Sequence, residues 1–258
     1  MSYYSLKNIL KNKAVFNVIF GERSNGKTYA TLKHGLEQYF KDGSQIAYIR
    51  RWKEDITGKR GQAVFSALVE NNEIAKLSDG KFTGIHYYTG RFFLCNYDNG
   101  KPIYNDNDVI GFLFALTDVE HDKSTSYPKV NNIIFDEFLT NKLYLKDEFV
   151  IFMNVVSTIV RRRETVKIFM LGNTVNKYCP YFNEMGLNNI QTMTQGEIDL
   201  YQYGESGLTV AVEYCKTSRD TQKKESKKYF AFDNPKLQMI TGGAWELAIY
   251  PHLPMKYK

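Results

Sequence analysis

The sequence predicts an α/β fold. A mostly parallel sheet is flanked by helices, carries an antiparallel β insertion and is followed by a small C-terminal β and linker segment. Three observations carry this prediction. A run rich in Val, Ile and Phe at 14–20 breaks at Gly21, and helix-forming residues resume at Lys27. Two more apolar runs of the buried kind, Asn131–Phe135 and Val166–Leu171, each end in polar residues, where α/β proteins place their ligands. Before them, residues 81–116 change character to three strand-like runs separated by turn signals.

In chain order, residues 1–13 are a short basic lead-in with Lys7, Lys11 and Lys13. The strand at 14–20 runs into Gly21, Glu22, Arg23, Ser24, Asn25, Gly26, Lys27 and Thr28. This is G-x-x-x-x-G-K-T in the strand–loop–helix setting that a phosphate-binding loop requires. Two glycines let the backbone fold around an anion without Cβ clashes. Exposed N–H groups and the positive end of the next helix then face the phosphates. Lys27 is the residue expected to reach the β- and γ-phosphates, and Thr28 the one to hold Mg²⁺.

The helix is expected over Thr28–Lys41 and stops at Asp42-Gly43. Gln45–Ile49 reads as a short strand ending in Arg50, Arg51 and Lys53; Gly58–Gly61 reads as a glycine-flanked basic turn holding Lys59 and Arg60. A helix follows over Ala63–Leu77. The insertion comprises Phe82–Tyr88, Arg91–Tyr97 and Val109–Leu116, with an Asp/Asn-rich loop at 98–108. His121–Pro128 is a polar loop, and Lys146–Arg161 a helix with Phe149, Phe152, Met153 and Val156 on one side. Glu197–Tyr203 and Leu208–Tyr214 form a hairpin, followed by a charged stretch at Lys216–Lys228. The expected division is one nucleotide-binding domain over 1–195 and a C-terminal segment over 196–258.

The 258 residues suffice for a large core without staples. Three scattered cysteines and four histidines give no zinc pattern and no disulfide framework, which fits a reducing cytosol. The sequence given has no apolar leader and no run long enough to span a membrane, so no membrane partner is expected. A net charge of +6 suits a polyanionic partner.

Hydrolysis needs more than a phosphate cradle. The strand Ile133-Ile134-Phe135 delivers Asp136 and Glu137 to its C-terminal end. Asp136 is expected to hold Mg²⁺ and Glu137 to orient and deprotonate the attacking water. Asn173 follows the next buried strand in the same position, where it can touch the γ-phosphate or the water. Arg161, Arg162 and Arg163 close the helix after the acidic pair, and capping accounts for at least one of them. One of the three is expected to act in trans on a neighbouring subunit's transition state, with Lys123 as a second trans-acting residue.

A guanine-specific reading fails, because Asn176-Lys177-Tyr178-Cys179 lacks the carboxylate that reads guanine. ATP is the expected nucleotide, and Glu137 favours a water-activating ATPase over a small-molecule kinase. Arg23 lies inside the loop, four residues before Lys27, where viral terminase ATPases commonly place a basic residue. With Tyr48-Ile49-Arg50-Arg51-Trp52, Ile133–Phe138 and Leu171-Gly172-Asn173-Thr174, the chain resembles the DNA-encapsidation ATPases of small short-tailed phages over about residues 14–175.

That resemblance implies an additional-strand (ASCE) P-loop fold, with Lys27, Thr28, Asp136, Glu137, Asn173, Arg23 and one of 161–163 in the roles given. It implies translocation of double-stranded DNA by a homomeric ring, a pentamer by likeness, on the portal vertex of a procapsid. The action would be in the host-cell cytoplasm and absent from the mature virion. Packaging RNA is a further partner it implies. Residues 196–258 hold too few acids for a nuclease site. Arg50, Arg51, Lys53, Lys59 and Arg60 and the Lys216–Lys228 stretch are the expected DNA contacts, with the glycine-flanked Lys59-Arg60 turn as the preferred mobile loop; Arg50 and Arg51 follow a core strand, and service to the nucleotide or the sheet is their alternative role. Two rival readings stand beside packaging: another DNA-translocating or helicase-like ATPase of this class, and a nucleotide-binding scaffold subunit that does not turn over.

Overall fold

The computed structural model describes residues 4–118, 125–174 and 179–216. A short helix α1 (Lys7–Leu10) leads to β1 (Phe16–Gly21), α2 (Lys27–Asp42) and β2 (Gln45–Arg50). Three short helices follow, α3 (Lys59–Gln62), α4 (Ser66–Glu70) and α5 (Glu73–Leu77), then β3 (Gly84–Tyr88), β4 (Arg91–Asp98) and β5 (Lys101–Ala115). The rest is β6 (Val130–Asp136), α6 (Glu148–Val160), β7 (Lys167–Asn173), α7 (Pro180–Glu184), β8 (Ile198–Tyr203) and β9 (Leu208–Tyr214).

The strands make one nine-stranded sheet in the order β3-β4-β5-β2-β6-β7-β1-β9-β8. From β5 to β9 the pairs are parallel, while β3-β4, β4-β5 and β8-β9 are antiparallel. β7 lies between the phosphate-loop strand β1 and the acidic strand β6, which is the additional-strand arrangement. Both faces of the sheet are covered, so β1, β6 and β7 read as unbroken apolar runs. Val18, Phe20, Phe135 and Met170 face α6 and α7, whereas Ile19, Ile134, Phe169 and Leu171 face α2. Four strand ends, Gly21, Arg50, Asp136 and Asn173, therefore meet along one rim of the sheet.

Four expectations change. The Asp/Asn-rich loop at 98–108 is mostly strand: β4 turns into β5 through Asn99 (φ 48°) and Gly100 (φ 77°). That pair of positive φ values is the tight hairpin turn that Asn-Gly favours. β5 then runs 15 residues and joins β2 in parallel, so the antiparallel hairpin extends the sheet at its edge. The helix expected over 63–77 is broken at Asn72 (φ 56°), and Lys59-Arg60 starts helix α3 instead of forming a loop. The hairpin set apart as a C-terminal segment is integral to the sheet, because β9 pairs in parallel with β1 from Phe16 to Phe20.

Candidate active site

The loop between β1 and α2 takes its shape from two left-handed residues, Ser24 (φ 58°) and Gly26 (φ 91°). Gly21 is needed for closeness: a Cβ there would lie 2.9 Å from the Cβ of Cys215, just past β9. Lys27 is buried within the loop, and its Nζ donates to the carbonyls of Glu22 (2.6 Å) and Gly21 (3.3 Å). It also donates to Oδ1 of Asn25 (3.2 Å) and of Asn173 (3.3 Å). Burial pushes its pKa below the ordinary lysine value, partly offset by Asp136.

Thr28, in the first turn of α2, donates its hydroxyl toward both carboxylate oxygens of Asp136 at 3.3 Å. Tyr48 on β2 donates to Asp136 Oδ2 at 2.6 Å, and burial beside that carboxylate raises the phenol far above its ordinary range, so it remains a donor. A cleft of about 270 Å³ opens here, lined by Ser24, Lys27, Thr28, Asp136, Glu137 and Asn173. No group of three or more His, Cys, Asp or Glu side chains is placed to hold a metal among the described residues. A hydroxyl and one carboxylate side by side is instead the sparse oxygen set that suits Mg²⁺, which keeps waters and takes phosphate oxygens.

Glu137 follows in a left-handed conformation (φ 58°), its side chain 55% exposed and its carboxylate 2.6 Å from Arg50 Nη2. Arg51 points the other way, into the core. Its Nε donates to Glu148 at 2.8 Å, and its Nη1 and Nη2 donate to the carbonyls of Glu137 (3.1 Å) and Phe138 (2.8 Å).

A model of the podovirus DNA encapsidation protein (Gp16) family matches residues 1–202. The chain belongs to this family. The DNA packaging protein of Bacillus phage phi29 is 28% identical over 185 residues, 70% of this chain and 49% of that protein. The chain thus spans about half the length of the curated relatives it matches. The crystal structure of the N-terminal domain of the DNA packaging ATPase from bacteriophage phi29 is similar with a TM-score of 0.64 at 23% identity, covering 81% of this chain and 95% of that one. The Thermus phage P74-26 large terminase ATPase domain is similar with a TM-score of 0.54 at 15% identity, covering 95% and 94%.

Of the site residues expected for an encapsidation-family chain, Lys27, Thr28, Asp136, Glu137 and Asn173 come together in the cleft, with Ser24, Asn25 and Gly26 of the loop in its wall and Gly21, Glu22 and Arg23 outside its lining. Arg23 is exposed on the loop, while Glu22 and Asn25 are buried beneath it. Arg51 is buried and fully engaged, so it is withdrawn as a DNA contact. Arg50 is turned toward the acidic pair. Lys53, Lys59 and Arg60 are exposed, Lys53 paired with Asp118 at 2.8 Å and Arg60 donating to the Glu54 carbonyl at 2.8 Å.

The three arginines after α6 lie at the far end of the sheet from the cleft, beside the start of β6. Arg163 is spent there, donating to carbonyls of Tyr127, Pro128, Val130, Ile159 and Val160 and to Asn131 Oδ1. It is withdrawn as a trans-acting residue. Arg161 ends the helix with φ 40° and donates to the Thr125 carbonyl, and Arg162 is exposed. Lys123, Asn176 and nearly all of the Lys216–Lys228 stretch lie outside the described residues. Sequence reasoning missed Tyr48 and the particular partners of Arg51, which it gave to either DNA or the sheet. Their one signal was position, at the end of a strand parallel to β6.

Proposed function

We propose that the chain is the ATP-hydrolysing part of a motor that drives double-stranded DNA into a viral procapsid, as a homomeric ring at the portal vertex. Family membership supports packaging, and the observation that carries ATP turnover is the contact of Thr28 with Asp136 at 3.3 Å beside Lys27 and Asn173. In this reading Lys27 leaves its carbonyl partners for the β- and γ-phosphates. Thr28 and Asp136 hold Mg²⁺, which supplies charge neutralisation at the phosphates. Glu137 accepts the proton of the attacking water, and Asn173, already touching Lys27, senses loss of the γ-phosphate. Differential affinity of ATP and ADP states for the neighbour and for DNA supplies the motion. The chain acts in the host-cell cytoplasm, transiently on the procapsid, with Lys53, Lys59 and Arg60 available to DNA phosphates.

The test is ATP hydrolysis over a protein-concentration series, with and without double-stranded DNA, for wild type and Glu137→Gln. Rates that rise with concentration and DNA and vanish in the variant are expected. Equal rates in the two proteins would remove the catalytic assignment, and ATP-dependent assembly without turnover would make the chain a scaffold subunit.

A further inference from the structure

We infer that Arg51, Glu148 and Tyr181 form a buried positioning device that sets the backbone of Glu137, and hence where its carboxylate points. The inference rests on the reading of Glu137 as the general base. The Glu137 side chain is 55% exposed, so packing does not orient it. Apart from the Arg50 contact at 2.6 Å, what aims it is its backbone, and φ 58° is a left-handed conformation costing about 1–2 kcal/mol for a residue with a Cβ. Such a conformation persists only where its surroundings hold it.

Arg51 provides that hold. One planar guanidinium takes the two consecutive carbonyls of Glu137 and Phe138, at 3.1 and 2.8 Å, from two different nitrogens. Its third direction, Nε, is fixed on Glu148 Oε2 at 2.8 Å, and its flat face lies 5.0 Å from the Tyr144 ring centre. Three acceptors taken by three different nitrogens match an arginine fork and cannot be met in the same way by a lysine ammonium. Glu148, the first residue of α6, is only 2% exposed. A buried carboxylate is costly unless it is fully partnered. Glu148 is: Oε2 also accepts from the Leu145 N–H at 2.8 Å, and Oε1 accepts from the Tyr181 hydroxyl at 2.9 Å.

Tyr181 is locked in turn. Its ring packs against Phe135, Phe138, Phe149 and Phe152, with centroids 5.7 to 5.9 Å away. Burial, together with the Glu148 carboxylate, raises its phenol well above the ordinary range and keeps it a donor. Tyr181 sits on α7, the helix after the strand that carries Asn173. The strained residue is thus tied, through one charge-assisted relay, to the element that follows the γ-phosphate sensor. None of the three side chains lines the cleft.

The test measures kcat and KM for ATP, the affinity for a fluorescent non-hydrolysable ATP analogue, and Tm. The proteins are wild type, Glu137→Gln, Arg51→Lys, Tyr181→Phe and each of the last two combined with Glu137→Gln, all assayed with double-stranded DNA well below Tm. Arg51→Lys is expected to lower kcat on the order of 10- to 100-fold, the scale of a misplaced catalytic group. Tyr181→Phe, which removes a single hydroxyl, should lower it less. Analogue affinity should stay within about twofold in both, and neither change should lower the residual rate of Glu137→Gln. Wild-type kcat in both single variants, or kcat and analogue affinity falling together, would overturn the positioning role. Should Arg51→Lys fail to fold, Tyr181→Phe decides alone. Wild-type hydrolysis by Glu137→Gln would overturn the general-base reading and the positioning role with it.

Discussion

The Arg50 guanidinium meets the Glu137 carboxylate at 2.6 Å and lies 3.7 Å from both Asp136 and Asp55. In the proposed role the same carboxylate must face the attacking water instead of the guanidinium. Water activation by Glu137 therefore requires this pair to open. The pair opens to solvent on the Glu137 side, and a solvent-screened contact of this kind is worth about 1 kcal/mol, equivalent to about fivefold in rate. Arg50→Ala is expected to raise DNA-independent hydrolysis within that range, while Arg50→Ala with Glu137→Gln stays at background. A steady-state assay without DNA decides this; a slower Arg50→Ala would place Arg50 among the groups that assist the reaction.

Lys27 gives a pH dependence. Only its ammonium form attracts phosphate, and burial lowers its pKa below that of an ordinary lysine. Affinity for an ATP analogue should be full near neutrality and fall as pH rises through that lowered pKa, earlier than an ordinary lysine would allow. The free protein should respond with the opposite sign. Its folded state gives up this proton more readily than the unfolded chain, so the residue's contribution to stability grows with pH over the same window. Analogue titrations between about pH 7 and 10 on wild type and Lys27→Met check the first part, with the variant weak and flat.

Gly172 tests the packing beneath the acidic pair. A Cβ on it would stand 2.8 Å from Leu139 and 2.9 Å from Phe138, both buried. Gly172→Ala should cost about 1–3 kcal/mol by overpacking, lowering Tm by roughly 3–10 °C. Because Phe138 and Leu139 directly follow Glu137, kcat should drop as well. Thermal melts and ATPase rates on one preparation measure both.

The arginines after α6 should separate cleanly. Arg163→Ala leaves several carbonyls without their donor and is expected to lower Tm markedly, by the cost of unpaired buried acceptors, about 1–3 kcal/mol for each fully buried one. Arg162→Ala should leave Tm unchanged and abolish the rise of hydrolysis with protein concentration. If Arg162→Ala keeps that rise, Arg162 is not the trans-acting group.

The central strands and the cleft residues were legible because local chemistry announces them: apolar runs buried on both faces, ended by glycine or acid. β5 was hidden by its own composition. Its polar half, 101–107, is largely exposed, so pairing with β4 and not burial makes it a strand, and Asn99-Gly100 was the overlooked cue. The break at Asn72 was likewise masked by the apolar spacing on either side. In the sequence Arg51 reads as a residue serving DNA or the sheet, and Arg163 as a helix cap or a trans-acting group. Arg51 is buried against Glu148, and the half-buried Arg163 is held by the carbonyls around β6, partners that no local pattern reveals.

The pairing of β9 with β1 has a consequence for how the molecule is made. The strand that carries the phosphate loop is synthesised well before residues 208–214, yet only they close one of its two hydrogen-bonding edges. Throughout translation of the intervening chain, that apolar edge stays open to any extended segment that meets it. Fragments cut before residue 208 should therefore aggregate even though every cleft residue is present. A split or fusion of this protein would have to keep β9 on the same piece as β1 or supply it in trans.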